Sequence, residues 1–337
     1  MAHWTQTSVV TMPIACILPQ VVSLSHNASR AGVSLPVTRR TTLLKGVGFL
    51  LLPLSPSVRA SENTTTDVTL RQIEPLLLRA SEAWGRALDP NEPRPQDRLD
   101  EVLNIFDKII ALDPEQTEWW EARGQARIDA KRFEDAVSDF TEAIRRNSSD
   151  FKAYSGRALA YEGLSQWEHA VLDYTTALEN AKISTGSLDP YIINSRGNAF
   201  ASLGKYKEAL QDYLLSVQGF QQAKELDGAI YAAGNAALMR IQLGDEVKGM
   251  KELMGVARRA PASIDMRAAL AALYWSQGLE QAAEDEWHFT CDNINPGQVF
   301  DSCALYRDPD WLRRIRRWPP VMVERMERFL KLRSVAK

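Results

Sequence analysis

The feature that most constrains the fold of this chain is a sequence motif that occurs three times between residues 117 and 216. Each copy contains an Arg followed by Gly or Ala, an aromatic residue ten positions after the Arg, and six positions later an Asp that precedes Phe or Tyr. The copies begin at Arg123, Arg157 and Arg196, so their spacings are 34 and 39 residues. Repetition at a period near 34 residues predicts a stack of small units that bury apolar surface only against their neighbours.

The three copies resemble the tetratricopeptide repeat, a helix–turn–helix unit of about 34 residues. The family pattern wants small residues at positions 8, 20 and 27 of each unit and aromatic residues near positions 17 and 24. The matching units start at Thr117, Phe151 and Pro190, and weaker units start at Ile230 and Ile264. Small residues let two antiparallel helices approach closely, and the aromatic residues fill the space between successive units.

The resemblance implies an all-α fold: a right-handed superhelical solenoid of about five to six helical hairpins over residues 70–290, followed by a C-terminal capping segment at residues 291–337. Apolar residues at helical spacing predict a first pair of helices at residues 70–88 and 99–112. Residues 180–189, which contain Ser-Thr-Gly-Ser, are expected to form a loop that a partner could contact.

The first 60 residues have the composition of a targeting sequence. They contain no Asp or Glu, and Arg39 and Arg40 precede an apolar run at 46–54 and a small-x-small site that ends at Ala60. This arrangement resembles the bipartite presequence of thylakoid-lumen proteins, a transit peptide followed by a twin-arginine signal. We therefore expect cleavage near Ser61, a linker at 61–69, location in the chloroplast thylakoid lumen and no membrane span in the mature chain. A bacterial periplasmic protein with a misassigned start and an uncleaved anchor are the alternatives.

Charge and motif content exclude several classes of function. The net charge is −3, and removing the five positive charges of the presequence leaves an acidic body of about −8, which is unsuited to nucleic-acid binding. The sequence contains no Gly-rich phosphate loop, no cysteine and histidine cluster with metal-ligand spacing and no constellation of Ser or Cys with His. We therefore expect a non-enzymatic protein without catalytic residues, metal or cofactor.

Position 7 of the three best units is Arg where Leu is commonest in the family, and position 23 is Asp. A guanidinium beside a packed interface needs a partner, because an unpaired buried charge is costly. We predict a structural ladder that fixes the register of the repeats, and solvent-exposed side chains without such pairing are the alternative. Its members would be Arg123 with Asp139, Arg157 with Asp173, and Arg196 with Asp212.

The groove of a tetratricopeptide solenoid is lined by fixed positions of the first helix of each unit. Amide side chains there could hydrogen-bond an extended peptide with both donor and acceptor atoms, or could satisfy local backbone groups and water instead. Lys152 is the one basic residue among these positions, so capture of a partner's C-terminal carboxylate is not expected. The predicted protein-binding groove residues are Gln125, Lys152, Tyr191, Asn194, Asn198, Tyr231 and Asn235.

The C-terminal segment departs from the repeat. Cys291 and Cys303 are the two cysteines outside the presequence, and in an exported protein such a pair suggests a disulfide, with two unlinked thiols as the alternative. Four arginines between Trp311 and Pro320 are expected to form a solvated surface, although they could instead meet anionic lipid or an acidic partner. An apolar helix that begins at Pro320 is expected to cap the last repeat.

The repeats, the presequence and the tail together resemble a group of thylakoid-lumen repeat proteins of plants and algae. That resemblance implies a scaffold that binds protein partners, with a role in assembly, maintenance or accessory association of a photosystem or related thylakoid complex. A redox-responsive regulator that uses Cys291 and Cys303, and a permanent structural subunit of a thylakoid complex, remain alternatives.

Overall fold

The computed structural model of the protein describes residues 64–89, 92–295 and 302–332. Throughout these residues the secondary structure is helical and contains no strand, so the prediction of an all-α repeat fold is confirmed. The predicted presequence and the cleavage position near Ser61 lie outside the described residues.

The described residues form two compact units, those up to residue 165 and those from residue 166 onward, and each unit is described by itself. The helices of unit 1 are α1 (Thr64–Ala87), α2 (Pro95–Leu112), α3 (Thr117–Asp129), α4 (Phe133–Arg146) and α5 (Phe151–Gly163). The repeat helices of unit 2 are α6 (Trp167–Thr185), α7 (Pro190–Ser202), α8 (Tyr206–Gln222), α9 (Leu226–Gln242), α10 (Glu246–Arg259), α11 (Ile264–Ser276) and α12 (Glu280–His288). A π-helical turn (Phe289–Ile294) follows α12, and the tail of unit 2 contains α13 (Ser302–Tyr306), α14 (Pro309–Arg314) and α15 (Pro320–Phe329).

In unit 1, an aromatic ring packs directly against two glycines of neighbouring helices. A methyl group on Gly156 would lie 2.3 Å from the Phe140 ring, and one on Gly124 would lie 2.9 Å from the same ring. Phe140 of α4 therefore packs against the backbones of α3 and α5, as the pattern of small and aromatic positions predicts. At the other end of the unit, Trp84 meets Phe106 edge to face with ring centroids 6.2 Å apart.

Unit 2 is built in the same way and has a larger core. A methyl group on Gly197 would lie 2.9 Å from the Tyr213 ring, which places α7 directly against α8. Helices α9 and α11 are rich in buried alanines, and Leu253 and Trp287 fill the space beside them. Close helix approach through small residues thus continues into the weaker repeats.

Four helix boundaries differ from those predicted. Helix α1 begins at Thr64 and α2 at Pro95, before the predicted starts at residues 70 and 99. Helix α6 runs on to Thr185 because Ala181 is buried in its extension, and only at Gly186, where φ is +74°, does the helix end. The predicted loop at 180–189 is therefore wrong for most of its length, and the connection before α7 is short. Helix α9 starts at Leu226, one turn before the unit start predicted at Ile230.

The apolar stripe of α15 is part of the core of unit 2. Met322, Met326 and Phe329 are fully buried, and α15 contacts α11 and α9. Phe329 meets Trp287 edge to face with centroids 5.9 Å apart. The helix thus covers apolar surface that the last repeats would otherwise expose, as a solenoid cap must.

Two predicted ladder pairs lie within hydrogen-bond distance. The Arg123 guanidinium donates to both carboxylate oxygens of Asp139, at 3.0 Å from Nε and 2.7 Å from Nη2. Arg196 holds Asp212 in the same way, with both distances at 2.8 Å. In each hairpin the Arg comes from the first helix and the Asp, which is buried, from the second. Arg157 and Asp173 fall in different units, so their pairing stays a prediction.

The Nη1 atom of each ladder arginine donates to a side chain of the preceding repeat. Nη1 of Arg123 donates to Asp107 of α2 at 2.6 Å, and Nη1 of Arg157 donates to Thr141 of α4 at 3.2 Å. In unit 2, Nη1 of Arg196 donates to Thr175 of α6 at 3.3 Å. Each of these arginines therefore also links its hairpin to the one before it.

Replacing Arg196 by Leu should lower the free energy of unfolding of unit 2 by about 3–5 kcal/mol, because the buried Asp212 then lacks its cation. The double variant Arg196→Leu/Asp212→Leu should recover a large part of that loss, since no buried charge remains. Urea denaturation with hydrogen exchange of α7 and α8 measures both values.

The matched control is Arg328→Gln, which removes an exposed pair with Glu324 in α15 and should change stability by less than about 1 kcal/mol. A double variant as unstable as Arg196→Leu alone would contradict the role of charge pairing at this position.

Candidate functional site

The predicted groove residues are divided between the two units. Gln125 and Lys152 belong to unit 1, and the remaining five belong to unit 2. We therefore describe the two sets of residues separately.

In unit 1, Glu121, Gln125 and Asp129 lie on successive turns of α3 and form one stripe. Gln125 Nε2 donates to Asp129 at 3.3 Å, and Trp84 Nε1 donates to the other carboxylate oxygen at 2.7 Å. The Gln125 amide donor is thus already engaged within the unit. Lys152 is exposed at the start of α5.

The carboxyl groups of this stripe have altered acidity. Burial raises the pKa of Asp129 to about 6, although the hydrogen bonds from Trp84 and Gln125 oppose the shift. Burial, together with the neighbouring Asp150, raises the pKa of Glu121 to about 9. The charge of this face of unit 1 therefore changes with pH over the range in which ordinary carboxylates stay ionised.

Because the folded pKa of Asp129 is above its unfolded value of about 3.9, the folded state binds the proton more tightly, and stability falls as pH rises from about 4 to about 6. Relative to Asp129→Asn, the wild type should lose about 2–3 kcal/mol of unfolding free energy between pH 4 and pH 7. Pulse-labelling hydrogen exchange of the α3 amides along a urea titration measures the unfolding free energy of unit 1 alone.

The contribution of Glu121 cancels in this difference, because both proteins contain it. The exposed Asp135 provides the matched control, since Asp135→Asn should leave the pH dependence as in the wild type. Equal pH profiles for wild type and Asp129→Asn would contradict the assignment.

In unit 2, the predicted groove residues of α7 differ in whether their polar side-chain atoms have hydrogen-bond partners. The Tyr191 hydroxyl donates to Glu225, and its ring meets Phe220 edge to face at 4.6 Å. The Asn198 side-chain oxygen accepts a hydrogen bond from the Tyr213 hydroxyl at 2.8 Å. The Asn194 side-chain oxygen is buried and has no hydrogen-bond partner among the described residues. Asn194 thus retains an unused acceptor in this set.

The tail of unit 2 reaches the next groove positions, where it covers Asn235 and lies beside Tyr231, which stays 36% exposed. Arg316 Nη2 donates to the Asn235 side-chain oxygen at 3.0 Å, and its guanidinium lies 5.2 Å from the centre of the Tyr231 ring. Asn235 is only 3% exposed as a result. The prediction that Asn235 lines an open groove is therefore wrong, because the tail fills the space in front of it.

Asp265, the second residue of α11, holds the tail in place. Its Oδ1 accepts hydrogen bonds from Arg316 Nε at 2.7 Å, the Tyr306 hydroxyl at 2.9 Å and Trp318 Nε1 at 3.1 Å. Its Oδ2 forms the other half of a bidentate pair with Arg316. Burial opposes the charge of Arg316, but the Asp265 carboxylate, together with the nearby Tyr231 and Tyr306 hydroxyls, raises the pKa of the guanidinium well above its usual value. Burial and Asp265 also raise the pKa of the Tyr306 hydroxyl well above its usual value.

The four arginines of the tail have different surroundings. Arg313 and Arg314 are exposed and pair with Glu327 and Asp310, which fits a solvated surface. Arg316 is enclosed by Asp265 and Asn235, so the predicted solvated surface is wrong at this residue. Arg317 lies over the Trp167 ring at 5.0 Å. In the sequence, this contact is reflected only in an Asp at the second position of the unit that starts at Ile264 and a run of arginines farther on, and nothing in the run distinguishes Arg316.

Cys291 and Cys303 form a disulfide that joins the end of the repeats to the tail. The sulfur atoms are 2.17 Å apart and the Cα atoms 5.8 Å apart. Cys303 is buried in the core of unit 2, and Cys291 is half-buried.

The described ranges contain no group of three or more His, Cys, Asp or Glu side chains arranged to hold a metal ion. No helix in that part of the chain is both long and apolar enough to cross a bilayer.

Comparison with known proteins agrees with the repeat architecture. No protein-family model matches the chain. It is 30% identical over 80 residues to a TPR repeat-containing thioredoxin of Arabidopsis thaliana. The matched region is 24% of this chain and 21% of that protein. It is 23% identical over 146 residues to Hsp70-Hsp90 organizing protein 1 of Glycine max. Here the matched region is 42% of this chain and 24% of that protein. The repeats of this chain are similar to tetratricopeptide repeats.

The matches span only about a fifth to a quarter of these curated relatives, so they concern the repeats and not the whole proteins. Among solved structures, YrrB, described as a TPR protein with an unusual peptide-binding site, is 17% identical with a TM-score of 0.45 and covers 59% of this chain and 96% of its own. The Pseudomonas aeruginosa protein pilF is 14% identical with a TM-score of 0.47 and covers 64% of this chain and 90% of its own. These two similarities add nothing about what this chain binds.

Proposed function

We propose that this protein is a non-enzymatic scaffold of the thylakoid lumen that binds a segment of a partner protein along the groove of unit 2. The partner we propose is a subunit of a photosystem or another photosynthetic membrane complex, whose assembly, maintenance or accessory association the scaffold assists. The observation that carries the binding proposal is the buried, unused side-chain oxygen of Asn194. A buried acceptor without a donor is costly, and rotation of the half-buried Asn194 side chain that brings this oxygen to a partner's N–H group would remove that cost.

The position of Asn194 supports an extended segment as the ligand. It is the fifth residue of its repeat, in the first helix, where repeats of this family present side chains to the groove. The polar atoms of Tyr191 and Asn198 on the same helix are already engaged with Glu225 and Tyr213, which holds their side chains in place. A partner would therefore meet an ordered surface, which reduces the entropy lost on binding.

The location in the lumen is supported by the sequence of the first 60 residues, with the twin arginine at Arg39 and Arg40 and the small-x-small site at Ala60. The acidic body of about −8 supports a protein partner in place of nucleic acid. Import of the full chain into isolated chloroplasts should give a processed form that begins near Ser61 and is protected inside thylakoids. Retention of an unprocessed chain in the stroma would contradict the location.

The tagged protein, crosslinked in thylakoids and purified, should recover subunits of one photosynthetic complex. The variant Asn194→Ala should reduce that recovery about threefold to tenfold, because the partner's hydrogen bond to the buried acceptor is lost. The exposed Lys207, on α8 of the same hairpin, gives the matched control Lys207→Ala, which should bind as the wild type does.

Recovery of no thylakoid protein would contradict the scaffold, and equal recovery by Asn194→Ala and wild type would contradict the binding site. Recovery with immature complexes alone indicates a role in assembly. Constant stoichiometry with the mature complex indicates a permanent subunit.

A further inference from the structure

The contacts of unit 2 connect the disulfide to the covered part of the groove without interruption. Cys303 and Tyr306 are both in α13, one helical turn apart. The buried Tyr306 donates to Asp265 and packs against Trp311 and Trp318, with ring centroids 5.1 and 5.8 Å away. The disulfide therefore fixes the helix that presents Tyr306 to Asp265.

Asp265 in turn fixes the residues that cover the groove. Arg316 and Trp318 both donate to it, and Arg316 also contacts Asn235 and Tyr231. Between these two residues, Arg317 adopts a left-handed conformation with φ of +58°, which is unfavourable for a residue with a Cβ atom. The tail is held in this strained form by contacts that converge on one carboxylate.

We propose that the Cys291–Cys303 disulfide is a redox latch that keeps the tail over Asn235 and against one side of the Tyr231 ring, so that its reduction uncovers Asn235 and frees that side of the ring. This inference rests on the proposed function, because it describes the regulation of the same groove. The apolar helix α15 stays on α9 and α11 as the cap of the core, and the part that opens is residues 303–318, between the disulfide and the cap.

The reductant is a dithiol. One of its thiolates attacks the Cys291 sulfur, the more accessible of the two, and the disulfide breaks with Cys303 leaving as a thiolate that takes up a proton. The second thiol of the reductant attacks the mixed disulfide and releases Cys291, which is protonated in turn. Two electrons pass from the dithiol to the protein, and the reductant leaves as its own disulfide. Without the covalent link, α13 is held by its noncovalent contacts alone.

Hydrogen exchange of the full chain, with and without dithiothreitol, tests the latch without any partner. The amides of Arg316 and Trp318 donate to Trp311 and Leu312. Their exchange should become at least about tenfold faster after reduction, while α7 and α8 stay protected. Hydroxyl-radical labelling of Tyr231 should increase under the same conditions.

Two variants separate the parts of the latch. Cys291→Ser/Cys303→Ser should exchange rapidly in the tail with or without dithiothreitol. Asp265→Asn should do so with the disulfide intact, because it removes the carboxylate that holds Arg316. The exposed Asp245 gives the matched control Asp245→Asn, which should behave as the wild type.

The latch is overturned if thiol alkylation shows a reduced pair while tail exchange or Tyr231 labelling is unchanged. It is also overturned if α7 and α8 lose protection together with the tail, since the disulfide would then be a general staple of unit 2. None of these readouts involves a photosynthetic complex. Failure of the thylakoid capture would therefore contradict the proposed function and leave the result on the latch as it stands.

Discussion

The rest of the structure depends on the pairing of buried aspartates with arginine side chains. Asp139 and Asp212 are buried on the second helix of their hairpins, and each is held through both oxygens by an arginine of the first helix. The planar guanidinium can hold a carboxylate with two nitrogens and still donate to the preceding repeat with the third. Small residues permit many close helix arrangements. The directed contacts of the arginine select the arrangement in which all three guanidinium nitrogens donate a hydrogen bond.

Features encoded within one repeat could be predicted from the sequence. The contact of Phe140 with Gly124 follows from the spacing of small and aromatic residues within a repeat, and the pairing of Arg123 with Asp139 follows from their fixed offset. The length of α6 could not be predicted from its turn-forming residues. Burial of Ala181 extends the helix against neighbouring apolar surface, and tertiary packing overrides the local preference of Ser and Thr for a loop.

The covered part of the groove could not be predicted, because it depends on residues far apart in the sequence that share no period. Arg316 lies 51 residues from Asp265 and 81 residues from Asn235. By composition the four arginines of the tail are equivalent, and a solvated run is the ordinary expectation for them. Only the fold distinguishes Arg316, which reaches a carboxylate at the start of α11, from Arg313, which stays at the surface.

The ladder and the tail use the same pairing of arginine with a buried carboxylate, but the consequences differ. Arg123 and Arg196 belong to the repeats, so removing their contacts disturbs the helices that form the groove. Arg316 comes from outside the repeats, and the helices beneath it keep their own core contacts through α9 and α11. The pairing of Arg316 with Asp265 can therefore break without loss of the repeat fold. The groove positions beneath Arg316 therefore suit regulation, whereas Asn194, which no tail residue is seen to contact, suits a constant point of attachment for a partner.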